Sequence, residues 1–257
     1  MLKAVIFDLD DTLIDWEFVE PWEPREQRRF QNIFDFVQQN IHPLNTPDSN
    51  DLFAAFGLGM RLAWENGVQT MQPPNVITVL AETLTSFGIP ADRLDMDAVM
   101  EVYDWQCPEG LRAFPDVLEV LPQLQTRGLA LGLVTNSSYP MSYRDRELKA
   151  VGLLDHFPAC RLSAVDVGYL KPHLEIFGRA LDTLGIRAEE AVFVGDSLHS
   201  DVRGAQGAGM YGVWRVRHPD QTAEGSDVVP DGTILTLHDL PPLLDGWYPG
   251  WRNGTGR

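Results

Sequence analysis

The sequence predicts an α/β protein in which a parallel-sheet core is interrupted by an inserted helical segment. Three observations support this: short apolar runs that end in polar residues, helical patterns between the later runs, and a stretch over about 16–108 with helical periodicity and no convincing strands. The first run is Leu2-Lys3-Ala4-Val5-Ile6-Phe7-Asp8, whose apolar residues leave no helical gaps and suit a strand covered on both faces. In the insertion, helices are expected over Gln27–Gln39, Leu52–Trp64 and Val76–Phe87, with a return to the core near the Pro108-Glu109-Gly110 turn. A helix over Val117–Thr126 comes next, with Pro122 as its start or a kink. Strands are expected over Leu129–Val134, Ala191–Val194 and Tyr211–Val216, and helices over Tyr143–Val151, Leu174–Leu184 and Ser200–Ala208. Gly204, Gly207 and Gly209 surround the end of the last helix, where they permit close packing or a helix stop. The division is therefore a core of 1–15 and 109–245, a helical insertion of 16–108, and a surface tail of 246–257 whose tryptophans dock on the core.

With 257 residues the chain is long enough for one large domain or two. Acids outnumber bases by 37 to 20, and the net charge of −17 repels polyanions and anionic lipid, so neither nucleic acid nor a membrane is expected as a partner. No apolar run approaches the roughly 18 residues that cross a bilayer, and the first one ends in acids too soon for a signal peptide. A cytoplasmic location is expected. The two cysteines, Cys107 and Cys160, lack metal-ligand spacing and are expected as free thiols. Asn136-Ser137-Ser138 and Asn253-Gly254-Thr255 fit a glycosylation pattern that a cytoplasmic protein does not use.

Ligands of open α/β sheets bind beyond the carboxyl ends of the strands, so the residues closing each strand are the candidates. Strand one ends in Asp8-Leu9-Asp10-Asp11-Thr12, and two residues of extended chain place Asp8 and Asp10 toward the same side. Later strands supply Thr135-Asn136 and Gly195-Asp196-Ser197, and a loop supplies Lys171-Pro172. Taken singly, each has a plain structural reading: turn aspartates, a capping threonine, a solvated lysine. Together, at one end of successive strands, the carboxylates, hydroxyl and lysine describe a site for Mg²⁺ and a phosphoryl group.

In these residues the chain resembles the haloacid dehalogenase-like hydrolase superfamily, in the branch whose helical cap follows the first motif. The motifs are Asp8-Leu9-Asp10-Asp11-Thr12-Leu13, Leu133-Val134-Thr135-Asn136, Lys171-Pro172 and Gly195-Asp196-Ser197-Leu198-His199-Ser200-Asp201. The resemblance covers residues 1–15 and about 109–215, while the cap matches in position and helical character alone. It departs at His173-Leu174, where the family usually has Asp or Asn and then Pro.

The resemblance implies a Rossmann-like core with an α-helical cap, and a Mg²⁺-dependent phosphatase that hydrolyses a small phosphorylated metabolite through an aspartyl phosphate. It implies that Asp8 is the nucleophile and Asp10 the general acid/base, that Thr135, Asn136 and Lys171 bind the phosphoryl group, and that Lys171 also offsets the charge of Asp8. Mg²⁺ would be held by the Asp8 carboxylate, the main-chain carbonyl of Asp10 and Asp196, with Asp201 orienting these ligands from behind or through metal-bound water. Asp10 argues against the dehalogenases and a phosphonate-cleaving relative, since the dehalogenases lack this second acid. A sugar phosphomutase shares the motifs and stays as an alternative, as does a non-catalytic phosphate-binding or signalling protein. A signalling receiver domain is about half this length and has no place for the insertion or the late Gly195-Asp196. Trp16 and Phe18 follow the first motif closely enough to line the site entrance and contact substrate, and His199 is expected on the surface.

Overall fold

A computed structural model describes residues 1–253, in two units: Met1–Phe18 with Leu111 onward, and Val19–Gly110. The first unit contains β1 (Ala4–Phe7), β2 (Ile14–Asp15), β3 (Arg112–Ala113), β4 (Ala130–Thr135), β5 (Cys160–Ser163), β6 (Ala191–Gly195), β7 (Tyr211–Arg215) and β8 (Gly232–Ile234). Six of these form one parallel sheet in the order β5-β4-β1-β6-β7-β8, and β2 pairs with β3 as a short antiparallel ribbon. β1 is central. The chain lays β4 and β5 on one side of it, then β6, β7 and β8 on the other, and such a reversal opens a crevice at the carboxyl ends of the strands.

Four strands were expected, and the other two of the sheet are its edges. β5 reads Cys-Arg-Leu-Ser and β8 has three residues, so neither carries the continuous apolar run that marks a strand covered on both faces. In β1, Val5 and Phe7 join a core with Val117, Val120, Leu121, Leu133 and Val194, all at most 1% exposed. On the opposite face, Phe193 meets Phe177 edge to face at 5.2 Å.

Helix positions follow the expected pattern, with corrections at their ends. The helix expected from Val117 starts at Pro115, which tolerates the first turn because its missing N–H has no partner to lose there; Pro122 lies inside it. The helix expected from Tyr143 spans Met141–Ala150, and Leu174–Leu184 is found as expected. In place of one helix over Ser200–Ala208, a π-helical segment, Leu198–Arg203, runs into a short α-helix, Gly204–Gly207. Gly204 is required by packing, since a Cβ there would lie 2.4 Å from the Phe177 ring. Of the segment 246–257, Trp247 completes the helix Leu240–Trp247, Tyr248 and Trp251 are buried, and Gly254 to Arg257, with part of the second glycosylation pattern, lie outside the described residues.

The second unit is helical, with Trp22–Asn40, Ser49–Thr70, Val76–Ser86 and Met96–Tyr103. The first two exceed their expected spans. Pro24 sits in the opening turn of one, and the Asp48 side chain accepts from the Asn50 N–H to cap the other. Met96–Tyr103 was not expected; it is only eight residues long, and its cap, Asp95, accepting from the Ala98 N–H, is its clearest start signal. Phe30 gathers the unit's core, with ring centroids 4.9 Å from Phe56 and 6.5 Å from Tyr103.

Candidate active site

Parallel register brings the candidate residues to one end of the sheet. Phe7 lies opposite Leu133 of β4 and Val194 of β6, so Asp8, Thr135 and Asp196 leave neighbouring strands at nearly the same level. The Asp8 N–H donates to the Val194 carbonyl at 2.9 Å, extending the ladder by one residue. The chain then turns tightly, with the Leu13 N–H donating to the Leu9 carbonyl at 2.8 Å and Asp11 in the left-handed region at φ 59°. Buried Arg215 fixes this turn from β7 by donating to the Thr12 carbonyl at 2.8 Å and to Asp116 at 3.0 Å.

Asp8, Lys171 and Asp201 form the buried centre, at 6%, 3% and 1% exposure. The Lys171 ammonium donates to Asp8 Oδ1 at 2.6 Å and to the Val134 carbonyl at 3.0 Å, and pairs with Asp201 Oδ1 at 2.7 Å. The π-helical segment delivers Asp201, whose Oδ2 accepts from the Ser197 N–H at 2.9 Å. Only glycine suits position 195, because a Cβ would fall 2.3 Å from the Asp201 carboxylate. Asn136 grips the main chain of Lys171 from both sides: its Nδ2 donates to the Lys171 carbonyl at 3.1 Å and its Oδ1 accepts from the Lys171 N–H at 2.8 Å.

Asp10 has a different set of partners. Its Oδ1 accepts from Trp16 Nε1 at 2.9 Å and from Arg144, and its Oδ2 accepts from Thr135 Oγ1 at 3.1 Å. The Trp16 indole is thus committed to Asp10, while Phe18 is 56% exposed with the Arg112 guanidinium 4.0 Å from its ring centroid. Arg144 is absent from the sequence expectations. His199 is exposed, and both cysteines are free thiols.

Electrostatics separate the two neighbouring acids. Burial pushes Asp8 up to about 8 against the pull of Lys171, with Asp201 and Asp10 adding to the rise. Burial also raises Asp196, to about 6, with Asp201 beside it. Asp10 moves the other way, since Arg144 and its hydrogen-bond donors outweigh burial and hold it below the usual carboxylate range. Asp8, Asp196 and Asp201 place oxygens within 4.8 Å of one another, a donor set suited to a hard divalent cation that would relieve their mutual repulsion. The Asp10 carboxylate is outside this cluster.

A stability prediction follows for the protein kept in chelator. A carboxyl raised on folding binds its proton more tightly in the native state, so its stabilisation is complete below the ordinary value of 3.8 and is lost as pH rises through the folded values of about 6 and about 8. Urea midpoints should therefore fall between about pH 5 and pH 9; a midpoint that rises across that interval would contradict the raised carboxyls.

A cavity of about 200 Å³ is lined by Asp8, Asp10, Thr135, Asn136, Lys171, Asp196 and Asp201, together with Asp11, Ser197 and Ser200. All seven sequence candidates therefore line one space. Its volume is below the roughly 300 Å³ at which pockets for drug-sized ligands begin, and suits a phosphoryl-sized anion beside a cation.

Comparison with known proteins agrees with this geometry. The chain is 29% identical over 242 residues to the glyceraldehyde 3-phosphate phosphatase of Methanopyrus kandleri, covering 93% of this chain and 96% of that protein. It is 30% identical over 214 residues to the enzyme of the same name from Pyrococcus abyssi, covering 83% and 81%. Among solved structures, a 2-haloacid dehalogenase from Pseudomonas syringae matches with a TM-score of 0.64 at 29% identity, over 96% of this chain and all of that one. The family model for haloacid dehalogenase-like hydrolases matches residues 2–209, and with the cluster at the strand ends it establishes that this chain belongs to that family.

Proposed function

We propose that the protein is a Mg²⁺-dependent phosphatase of a small phosphorylated metabolite, working through an aspartyl phosphate on Asp8. The observation that carries this reading is Asp10, a second acid two residues from the nucleophile with its own hydrogen-bond partners. A halide needs no proton to leave, whereas an alcohol does, so a poised second carboxyl favours phosphate esters over the haloacids of the structural relative. The relatives named as phosphatases of glyceraldehyde 3-phosphate support the same substrate class. Free cysteines are consistent with a reducing, cytoplasmic setting, and the helical unit Val19–Gly110 serves as the cap that selects the substrate.

In the proposed reaction an Asp8 carboxylate oxygen forms a bond to phosphorus as the ester P–O bond breaks, and Asp10, which takes up a proton from solvent as the anionic phosphoryl group enters beside it, passes that proton to the departing alkoxide. Asp10 then takes a proton from water, the water oxygen bonds to phosphorus, and the Asp8–phosphorus bond breaks to release phosphate. Lys171 offsets negative charge at Asp8 throughout, and Thr135 presents a hydroxyl at the same cavity. Mg²⁺ would be held by Asp8 and Asp196 with the main-chain carbonyl of Asp10, supported by Asp201 through water, and would supply positive charge that lets an anionic carboxylate and an anionic phosphoryl group approach.

Chelation should abolish phosphate release from a panel of phosphorylated metabolites, and Mg²⁺ should restore it. Full turnover in excess chelator, or hydrolysis of 2-haloacids in preference to every phosphate ester, would overturn the reading.

A further inference from the structure

We propose that Arg144, braced by Glu147, is a positioning residue that aims the Asp10 carboxylate at the leaving group. Both residues lie on the helix Met141–Ala150, three positions apart, with side chains 7% and 0% exposed and Arg144 Nε 3.1 Å from Glu147 Oε2. A buried ion pair is a poor source of stability, because desolvating two charges costs about as much as their attraction returns. The geometry gives this pair another use. Glu147 holds one edge of the guanidinium, and Nη2 reaches across to Asp10 Oδ1, on a different element 134 residues away.

Trp16 Nε1 binds the same oxygen, and its ring lies 6.0 Å from the Arg144 guanidinium carbon, so Oδ1 is held from two directions. Thr135 fixes Oδ2. A carboxyl pinned at both oxygens loses its rotation about the Cβ–Cγ bond. The Asp10 side chain nevertheless stays 36% exposed toward the cavity, where a reacting group can meet it. Proton transfer depends steeply on such placement.

The inference rests on the acid/base role proposed for Asp10, and the test separates the two. Arg144→Gln paired with Glu147→Gln removes both charges without leaving a buried one unpaired, and Arg144→Lys keeps the charge while losing the planar fork. After circular dichroism confirms folding, kcat and KM are measured on the best alkyl phosphate from the metabolite panel and on 4-nitrophenyl phosphate, whose leaving group needs little protonation. The double variant should lose about tenfold or more in kcat on the alkyl ester with KM unchanged, lose much less on the aryl ester, and be partly rescued in Arg144→Lys. Asp10→Asn is the control. If it shows the leaving-group dependence and the Arg144 variants fall equally on both esters, or not at all, the positioning role is overturned alone. If Asp10→Asn shows no such dependence, the role of Asp10 fails and the role of Arg144 with it.

Discussion

Asp8→Asn is expected to lower turnover by at least about a thousandfold, the scale on which removal of a covalent nucleophile acts. The amide keeps the shape of the carboxylate and can still accept from Lys171, so the native fold should persist. It cannot form the acyl phosphate. Asp10→Asn should cost about a hundredfold by a different route, since the proposed nucleophile remains and only the proton transfer proposed for Asp10 is lost. On an aryl phosphate, whose leaving group departs unaided, this second variant should still be phosphorylated and then hydrolyse slowly. Mass spectrometry of the intact protein, quenched in acid, should show a phosphoryl adduct in Asp10→Asn and none in Asp8→Asn. Wild-type turnover in Asp8→Asn would remove covalent catalysis by this residue, and an adduct in that variant would place the phosphoryl group elsewhere.

The sheet is legible in the sequence where a strand is covered on both faces. Ala4–Phe7 and Ala191–Gly195 are fully buried and read as unbroken apolar runs, with the chemistry immediately after them. Edge strands β5 and β8 give no such signal, because one flank has no neighbour and their composition is mixed. The site follows the same division. Asp8, Thr135, Lys171 and Asp196 are found by their places at strand ends and in the loop between, whereas Arg144 and Glu147 read as an ordinary solvated helix pair three residues apart. Only the tertiary fold shows both buried, with Arg144 turned toward Asp10 and Glu147 beside it. The commitment of Trp16 to Asp10 is likewise invisible locally, because an indole after a strand turn suits core packing or a substrate contact equally well. Asp201 lies five residues past Asp196, and its approach to Lys171 depends on the π-helical segment and on the bare Cα of Gly195, neither of which periodicity reveals.

Lys171→Met is expected to abolish turnover and, near pH 9, above the raised value of about 8 for Asp8, to destabilise the protein kept in chelator by about 3–5 kcal/mol, the range for breaking a buried ion pair from one side. The ammonium has three N–H groups and three oxygen partners: Asp8 Oδ1, the Val134 carbonyl and Asp201 Oδ1. Removing it leaves two carboxylates under 10% exposed with no cation between them, beside a third at Asp196. On the proposed function Mg²⁺ would bind the folded cluster and not the unfolded chain, so it should recover part of the lost stability while leaving activity low, since it cannot replace the contacts to Asp8 and Val134. Lys171→Arg tests whether charge alone suffices. The planar guanidinium spreads its donors in one plane and is bulkier, while the partners here surround a single compact nitrogen whose main chain Asn136 holds in place. Arg should therefore recover little activity. Urea unfolding of the variants, with and without Mg²⁺, alongside turnover of the best metabolite, measures both effects. A Lys171→Met stability within about 1 kcal/mol of wild type in chelator would mean that the cluster is protonated or hydrated enough to need no cation, and wild-type turnover in Lys171→Arg would reduce Lys171 to a source of charge.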